Sequence, residues 1–343
     1  MANGVEAIRG VGTAVSAQAA RSNLELRYAK KGLMWALISG MGWGLGGVLI
    51  GMALGMAPFT TGATIYTGAL VAGAMNDGLG GIYLFGYNVY TGRWREIFRT
   101  LKTWPGALVC IAAVFGGPIA MGGYLMGIEL AGPAYAMGIS ALYPVVGALL
   151  AMIVLKEKIS RRVWIGIACS VAGAIIMSYT PPSGDHPHFY LGLGLALLAA
   201  LGWGVEGVLS TYGMEMVDPS VAINLRQATS SVVSMVAVLP LVGGFVMFGK
   251  ALQTFSSLWI LAAAALVGAI SYWSWYRAFS MCGVARTMAL NITYSIWGIV
   301  FTYFFTTTEI TASLVVGAVI ITLGSILVVS NPSEIIKLRN EEV

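Results

Sequence analysis

Apolar residues run along this chain in long blocks, interrupted at intervals by short polar or basic segments. About ten blocks of roughly 20 residues can be marked, at about 32–55, 61–88, 106–127, 133–154, 163–180, 190–212, 221–247, 257–280, 284–306 and 312–331. An α-helix rises ~1.5 Å per residue, so ~20 apolar residues cross the ~30 Å hydrocarbon layer of a bilayer. The short alternating segments of an outer-membrane barrel are not seen. The pattern predicts an all-α membrane protein with about ten transmembrane helices. Residues 1–31 stand outside the blocks as an N-terminal extension, and 332–343 as a tail.

Composition agrees with the pattern. Of 343 residues, 58% are hydrophobic and 10% charged, whereas globular chains carry about 25% charged residues. The net charge of +5 could point to an anionic partner, but its distribution points to topology. Basic residues gather before the first block (Arg9, Arg21, Arg27, Lys30, Lys31), after the second (Arg93, Arg95, Arg99, Lys102), after the fourth (Lys156, Lys158, Arg161, Arg162) and after the tenth (Lys337, Arg339). The connections between hold few, Lys250 being the exception, and 181–189 carries Asp185. By the positive-inside rule, both termini are expected in the cytoplasm, with 181–189 as an outer loop of an inner-membrane protein. The lipid bilayer is the expected partner, and nucleic acid is not. Residues 1–30 contain no apolar stretch of signal-peptide length and read as a cytoplasmic extension.

Cys110, Cys169 and Cys282 all fall inside apolar blocks at spacings unlike a metal site or a disulfide framework. His186 and His188 share one loop and have no further ligands nearby. No nucleophile, metal-ligand or catalytic histidine constellation is evident in the blocks. Neither an enzyme nor a cofactor is expected.

The chain repeats itself. Residues 42–49 read GWGLGGVL and 202–209 read GWGVEGVL, with Trp43 and Trp203 160 residues apart. Ala57-Pro58 is echoed by Asp218-Pro219. Further on, GISALYPVVGALLA (138–151) lies over ALNITYSIWGIVFT (289–302) at an offset of 151, with Tyr143 on Tyr294. The same offset sets Gly166 on Gly317 and Gly173 on Gly324, where close helix packing is expected. The change of offset places extra first-half residues around the end of the second block and its loop. The repeating unit is about five helices, 32–180 and 190–331, and an odd number of spans inverts the second copy. Inverted repeats suit a transporter that opens alternately to either side of a central site.

That site can be sought at mid-membrane depth. Trp43, Trp203 and Trp297 each stand about 11–13 residues into their blocks, unlike tryptophans at a headgroup boundary. Glu206, one helical turn from Trp203, is an acid in an apolar helix, at a cost of at least ~2.5 kcal/mol on insertion scales. Asn291, Tyr294 and Trp297 recur every three residues on one helix, and Tyr272 stands in SYWSWYRAF. Aromatic faces closed by one carboxylate suit a cation that cannot donate hydrogen bonds. Arg226 offers a different reading, a structural ion pair with Glu206 or Glu215. Asp77 is a second intramembrane acid and a candidate coupling group.

Ten spans in two halves, with GISALYPVVGALLAMIVLKEKIS closing the fourth, resemble the drug/metabolite transporter superfamily and its EamA-type branch. GWGVEGVLSTYGME, LRQATSS, GPIAM and ISYWSWYRAFSMCGVARTMALNITYSIW resemble the LicB-type choline transporters. The resemblance implies secondary uptake of choline or a related quaternary ammonium, driven by membrane potential or protons. It implies an aromatic box of Trp43, Trp203, Glu206, Tyr272, Asn291, Tyr294 and Trp297. Export of amino acids or cationic drugs on the same fold is the alternative, and a membrane receptor a third.

Overall fold

The computed structural model describes residues 2–61, 66–131, 133–178, 188–305 and 311–329. Asp185, His186, Lys337, Arg339, most of the expected outer loop and the tail 332–343 lie outside the described residues. Helix α1 (Ala2–Leu54) is continuous from the expected extension into the first apolar block. A short 3-10 turn at Phe59–Thr61 precedes α2 (Thr67–Tyr90) and the short α3 (Trp94–Thr100). Helix α4 (Trp104–Val114) passes through a π-helical stretch, Phe115–Met121, into α5 (Gly122–Ala131). The fourth block is broken into α6 (Pro133–Ser140) and α7 (Tyr143–Val154), and α8 (Arg161–Ser178) ends the first half.

The second half begins with α9 (Phe189–Gly213) and α10 (Pro219–Val233). A second π-helical stretch, Ser234–Val238, leads to the single turn α11 (Leu239–Leu241), then α12 (Gly244–Gln253) and α13 (Phe255–Cys282). The ninth block is broken like the fourth, into α14 (Val284–Asn291) and α15 (Tyr294–Phe305), and α16 (Ala312–Val329) follows. Among the described residues there is no strand.

Among the described residues, eight helical segments are long and apolar enough to cross a membrane. Helices α2 and α8, where the second and fifth spans are expected, are also long, but α2 carries Asn76, Asp77 and Asn88 and α8 opens on Arg161-Arg162. The seventh block, expected to 247 as one run, is divided by Gly243, whose φ of +62° turns the chain before α12.

Helix starts follow ordinary capping chemistry. Thr103 accepts from the Gly106 amide at the start of α4, and Asp218 from the Ser220 amide at the start of α10, each just before proline-bearing first turns. Pro58 opens no such helix, so the echo of Ala57-Pro58 in Asp218-Pro219 is not structural. The connection from Trp43 to α2 is the longer one, and the extra first-half residues lie before α2 rather than after it.

Packing respects the repeat. Helix α1 lies on α13, and its counterpart α9 lies on α4 and α5. Helix α2 pairs with α10, α7 with α14, and α8 with α16. Exchanging the two halves carries α1 on α13 into α9 on α4 and α5 and leaves α2 with α10 and α8 with α16 in place, as an inverted repeat requires, whereas the counterpart of α7 with α14 is α15 with α6. Helices α8 and α16 meet through glycines: a Cβ on Gly166 would lie 2.8 Å from the Gly324 carbonyl, and one on Gly173 equally close to that of Gly317. Large apolar side chains such as Ile82, Val236 and Ile326 are exposed, as on a lipid-facing surface, while charged groups are buried inside the bundle. This is the reverse of a water-soluble protein.

Candidate functional site

The GWG phrases are built for close approach. A Cβ on Gly42 would press on Ser271 of α13, and one on Gly44 would sit 2.7 Å from the Tyr294 carbonyl. In the second copy, a Cβ on Gly202 would sit 2.7 Å from the Phe115 carbonyl, and one on Gly204 would press on Val146. With neighbouring backbones drawn in on both sides, each tryptophan turns to the middle of the bundle. Trp43 and Trp203 line the same cavity.

Six rings form most of its wall: Trp43, Tyr143, Trp203, Tyr272, Trp275 and Tyr294. Trp43 meets Tyr272 edge-on at 5.1 Å between centroids, and Trp203 stands 6.1 Å from Tyr143. The π-helical stretch fixes Trp203, whose Nε1–H donates to the Gly116 carbonyl at 3.1 Å. Such a stretch around Pro118 departs from ordinary α-helical hydrogen bonding.

Three small polar side chains, Ser39, Ser271 and Asn291, complete the wall. They are tied to one another. Tyr143 Oη donates to Asn291 Oδ1 (3.0 Å) and Asn291 Nδ2 donates to Ser39 Oγ (2.9 Å). Ser271 Oγ donates to the Ser39 carbonyl at 2.7 Å. Rings outnumber polar groups in the wall, and the polar groups already have partners.

Behind Tyr272 lies a buried charge cluster. Arg226 Nε donates to Glu206 Oε1 at 2.7 Å and Nη1 donates to Asp77 Oδ2 at 3.3 Å. Its Nη1 also donates to Gln227 Oε1 (2.7 Å) and its Nη2 to Tyr272 Oη (3.1 Å). Ser230 donates to Asp77, and Tyr276 Oη to Glu206 Oε1 at 3.4 Å. Glu206 is wholly buried, in space left by the missing side chain of Gly116, where a Cβ would overlap its Oε2. Two carboxylates and one guanidinium carry a net charge of −1 when all are ionised.

Of the residues singled out in the sequence, Trp43, Trp203, Tyr272, Asn291 and Tyr294 meet in the cavity wall. Glu206 does not line it but pairs with Arg226, which also holds Asp77. Trp297 is half-buried, stacks on Phe301 at 6.1 Å and does not line it either. Three residues on an α-helix leave a 60° turn, enough to part it from Tyr294. Ser39, Tyr143, Ser271 and Trp275 were missed. The alignment of Tyr143 with Tyr294 was the signal that could have found the first tyrosine; the serines carry none. Among the described residues, no group of three or more His, Cys, Asp or Glu side chains could hold a metal.

Comparison with known proteins agrees with this architecture. A solved crystal structure superposes with a TM-score of 0.69 at 16% identity, over 86% of this chain and 94% of that one. Protein LicB of Haemophilus influenzae is 30% identical over 190 residues, which is 55% of this chain and 63% of that protein. The match thus spans less than two thirds of the relative's length. The sequence model of the EamA-like transporter family matches residues 30–179 and 190–330. The chain is a multi-pass membrane protein and belongs to the EamA-like transporter family.

Proposed function

We propose that this protein takes up choline or a closely related quaternary ammonium compound by alternating access. The observation that carries the reading is the wall of the cavity: six aromatic rings, with polar groups that are hydrogen-bonded among themselves. A quaternary ammonium donates no hydrogen bond, so it needs none of those groups. Each ring face contributes ~0.5–2 kcal/mol to a cation, more once water is excluded. The net negative cluster of Asp77, Arg226 and Glu206 supplies long-range attraction from behind Tyr272. In this reading Glu206 sets the potential of the cavity instead of touching the substrate.

The likeness to Protein LicB and the phrases shared with choline transporters support the same substrate class. The basic loops support an inner-membrane location with cytoplasmic termini, so that membrane potential drives the cation inward. Asp77, bound less closely by Arg226 than Glu206 is, is the candidate for proton coupling. Labelled choline uptake into proteoliposomes tests the reading, with a panel of methylated amines and amino acids as competitors. Methylated amines should compete and amino acids should not. Competition by amino acids alone would favour export of amino acids on the same fold.

A further inference from the structure

The fourth and ninth blocks each break once, and the breaks occupy the same place in the repeat. Ala141–Leu142 separates α6 from α7, and Ile292–Thr293 separates α14 from α15, 151 residues on. Tyr143 and Tyr294 are the first residues after their breaks, and both line the cavity. Discontinuous helices at a repeat interface are where transporters of inverted design place their sites.

The two tyrosines stand in different surroundings. Tyr143 is buried, and its hydroxyl reaches the Met288 carbonyl at 3.2 Å and Asn291 Oδ1 at 3.0 Å, both on α14. Helix α7 also buries Pro144, Gly147, Ala148 and Ala151, whereas α15 has no buried residue at all. Just beyond α7, Glu157 Oε2 accepts from the Val284 amide at 3.0 Å, fastening the start of α14. The halves of the broken helices near the basic loop are therefore locked together, whereas α15 packs on α1 without a fully buried residue.

Met288 and Asn291 have repeat mates, Met137 and Ser140, on α6. Ser140 is buried, and its hydroxyl donates to the Met137 carbonyl at 3.1 Å. We propose that Tyr143 and Tyr294 are alternating latches. In the present state Tyr143 holds α7 to α14. In the opposite state the Tyr294 hydroxyl reaches the Met137 carbonyl and the Ser140 hydroxyl and holds α15 to α6, while Tyr143 lets go. The physical reason is the symmetry: in an inverted repeat the second conformation is the first with the halves exchanged, so a contact made by one half must reappear in the other. The inference rests on the alternating access of the proposed function and not on its substrate.

Hydrogen exchange on the full-length protein in nanodiscs, read by mass spectrometry without substrate, tests the latches. Tyr143→Phe keeps the ring and removes the hydroxyl, and it should speed exchange of residues 284–291 about fivefold, the effect expected of a net hydrogen bond. Tyr294→Phe and Ser140→Ala weaken the opposite latch and should slow exchange in the same segment. The same direction of change in both sets, or no response to Tyr143→Phe, would overturn the proposal. Should Tyr143→Phe fail to fold, faster or unchanged exchange in Tyr294→Phe and Ser140→Ala would overturn it alone. A protein that moves no methylated amine but keeps the opposed exchange changes would sink the choline reading and spare the latches.

Discussion

The guanidinium of Arg226 rests 4.4 Å from the centre of the Tyr272 ring, with Nη2 donating to the Tyr272 hydroxyl. One tyrosine thus has a buried cation against it and also forms part of the cavity wall. By itself Arg226 would repel a cationic substrate across that ring. Glu206 and Asp77 reverse the sign, and they do so from within hydrogen-bonding distance of the same guanidinium.

Removing one acid tests this balance. Breaking a buried ion pair costs about 3–5 kcal/mol because the partner charge is left in low dielectric. Glu206→Gln keeps an oxygen facing Arg226 Nε, so the loss should fall at the lower end. Thermal unfolding of the purified protein should show a clear drop in Tm, and choline affinity should weaken with it. Unchanged Tm would remove the ion pair from the account of the fold.

Asp77→Asn should separate coupling from binding. The variant should still exchange choline across a bilayer at equal pH inside and out. It should no longer accumulate choline when only a pH gradient drives uptake. Accumulation equal to that of the unaltered protein would assign coupling to another group.

For the cavity, Trp203→Leu and Trp43→Leu each remove one ring face. At ~1–2 kcal/mol per desolvated face, choline affinity should fall about 5- to 30-fold in a binding titration. Trp297→Leu should cost less, because Trp297 stands outside the wall. A larger loss at Trp297 than at Trp203 would contradict this geometry.

Glu157, in the loop between α7 and α8, provides a pH dependence. Burial pushes its carboxyl above the ordinary 4.5, against the pull of the Val284 amide and the Arg286 charge. A raised acid means the folded state binds more protons than the unfolded one above that value, so stability falls as pH rises through the window. Glu157→Gln should flatten the fall in Tm as pH rises above the ordinary carboxyl range and keep the hydrogen bond to Val284. Parallel Tm curves for the two proteins would remove Glu157 from the pH response.

The glycine seam of α8 and α16 predicts a cost without any charge. Gly324→Val places branched carbons against the Gly166 carbonyl, so the helices must part. Overpacking of this kind costs about 1–3 kcal/mol, readable as a lower Tm in detergent.

Much of this protein is determined locally by its chain. Spans, basic loops and an inverted repeat follow from hydrophobicity, charge and self-similarity, because the bilayer imposes length and satisfied backbone on every crossing. The shared fate of Trp43 and Trp203 was legible too, since the repeat sets both at the same mid-membrane depth. What the sequence could not decide was which polar groups meet. Glu206 stands one turn from Trp203, yet Arg226 holds it away from the cavity wall, along with Asp77 from a helix of the other half. That arrangement depends on the pairing of α2 with α10 and on the space left at Gly116, which are tertiary facts. The breaks after Ser140 and Asn291 also belong to tertiary structure: the repeat aligns them, but only packing shows Tyr143 buried against α14 and α15 without a buried side chain.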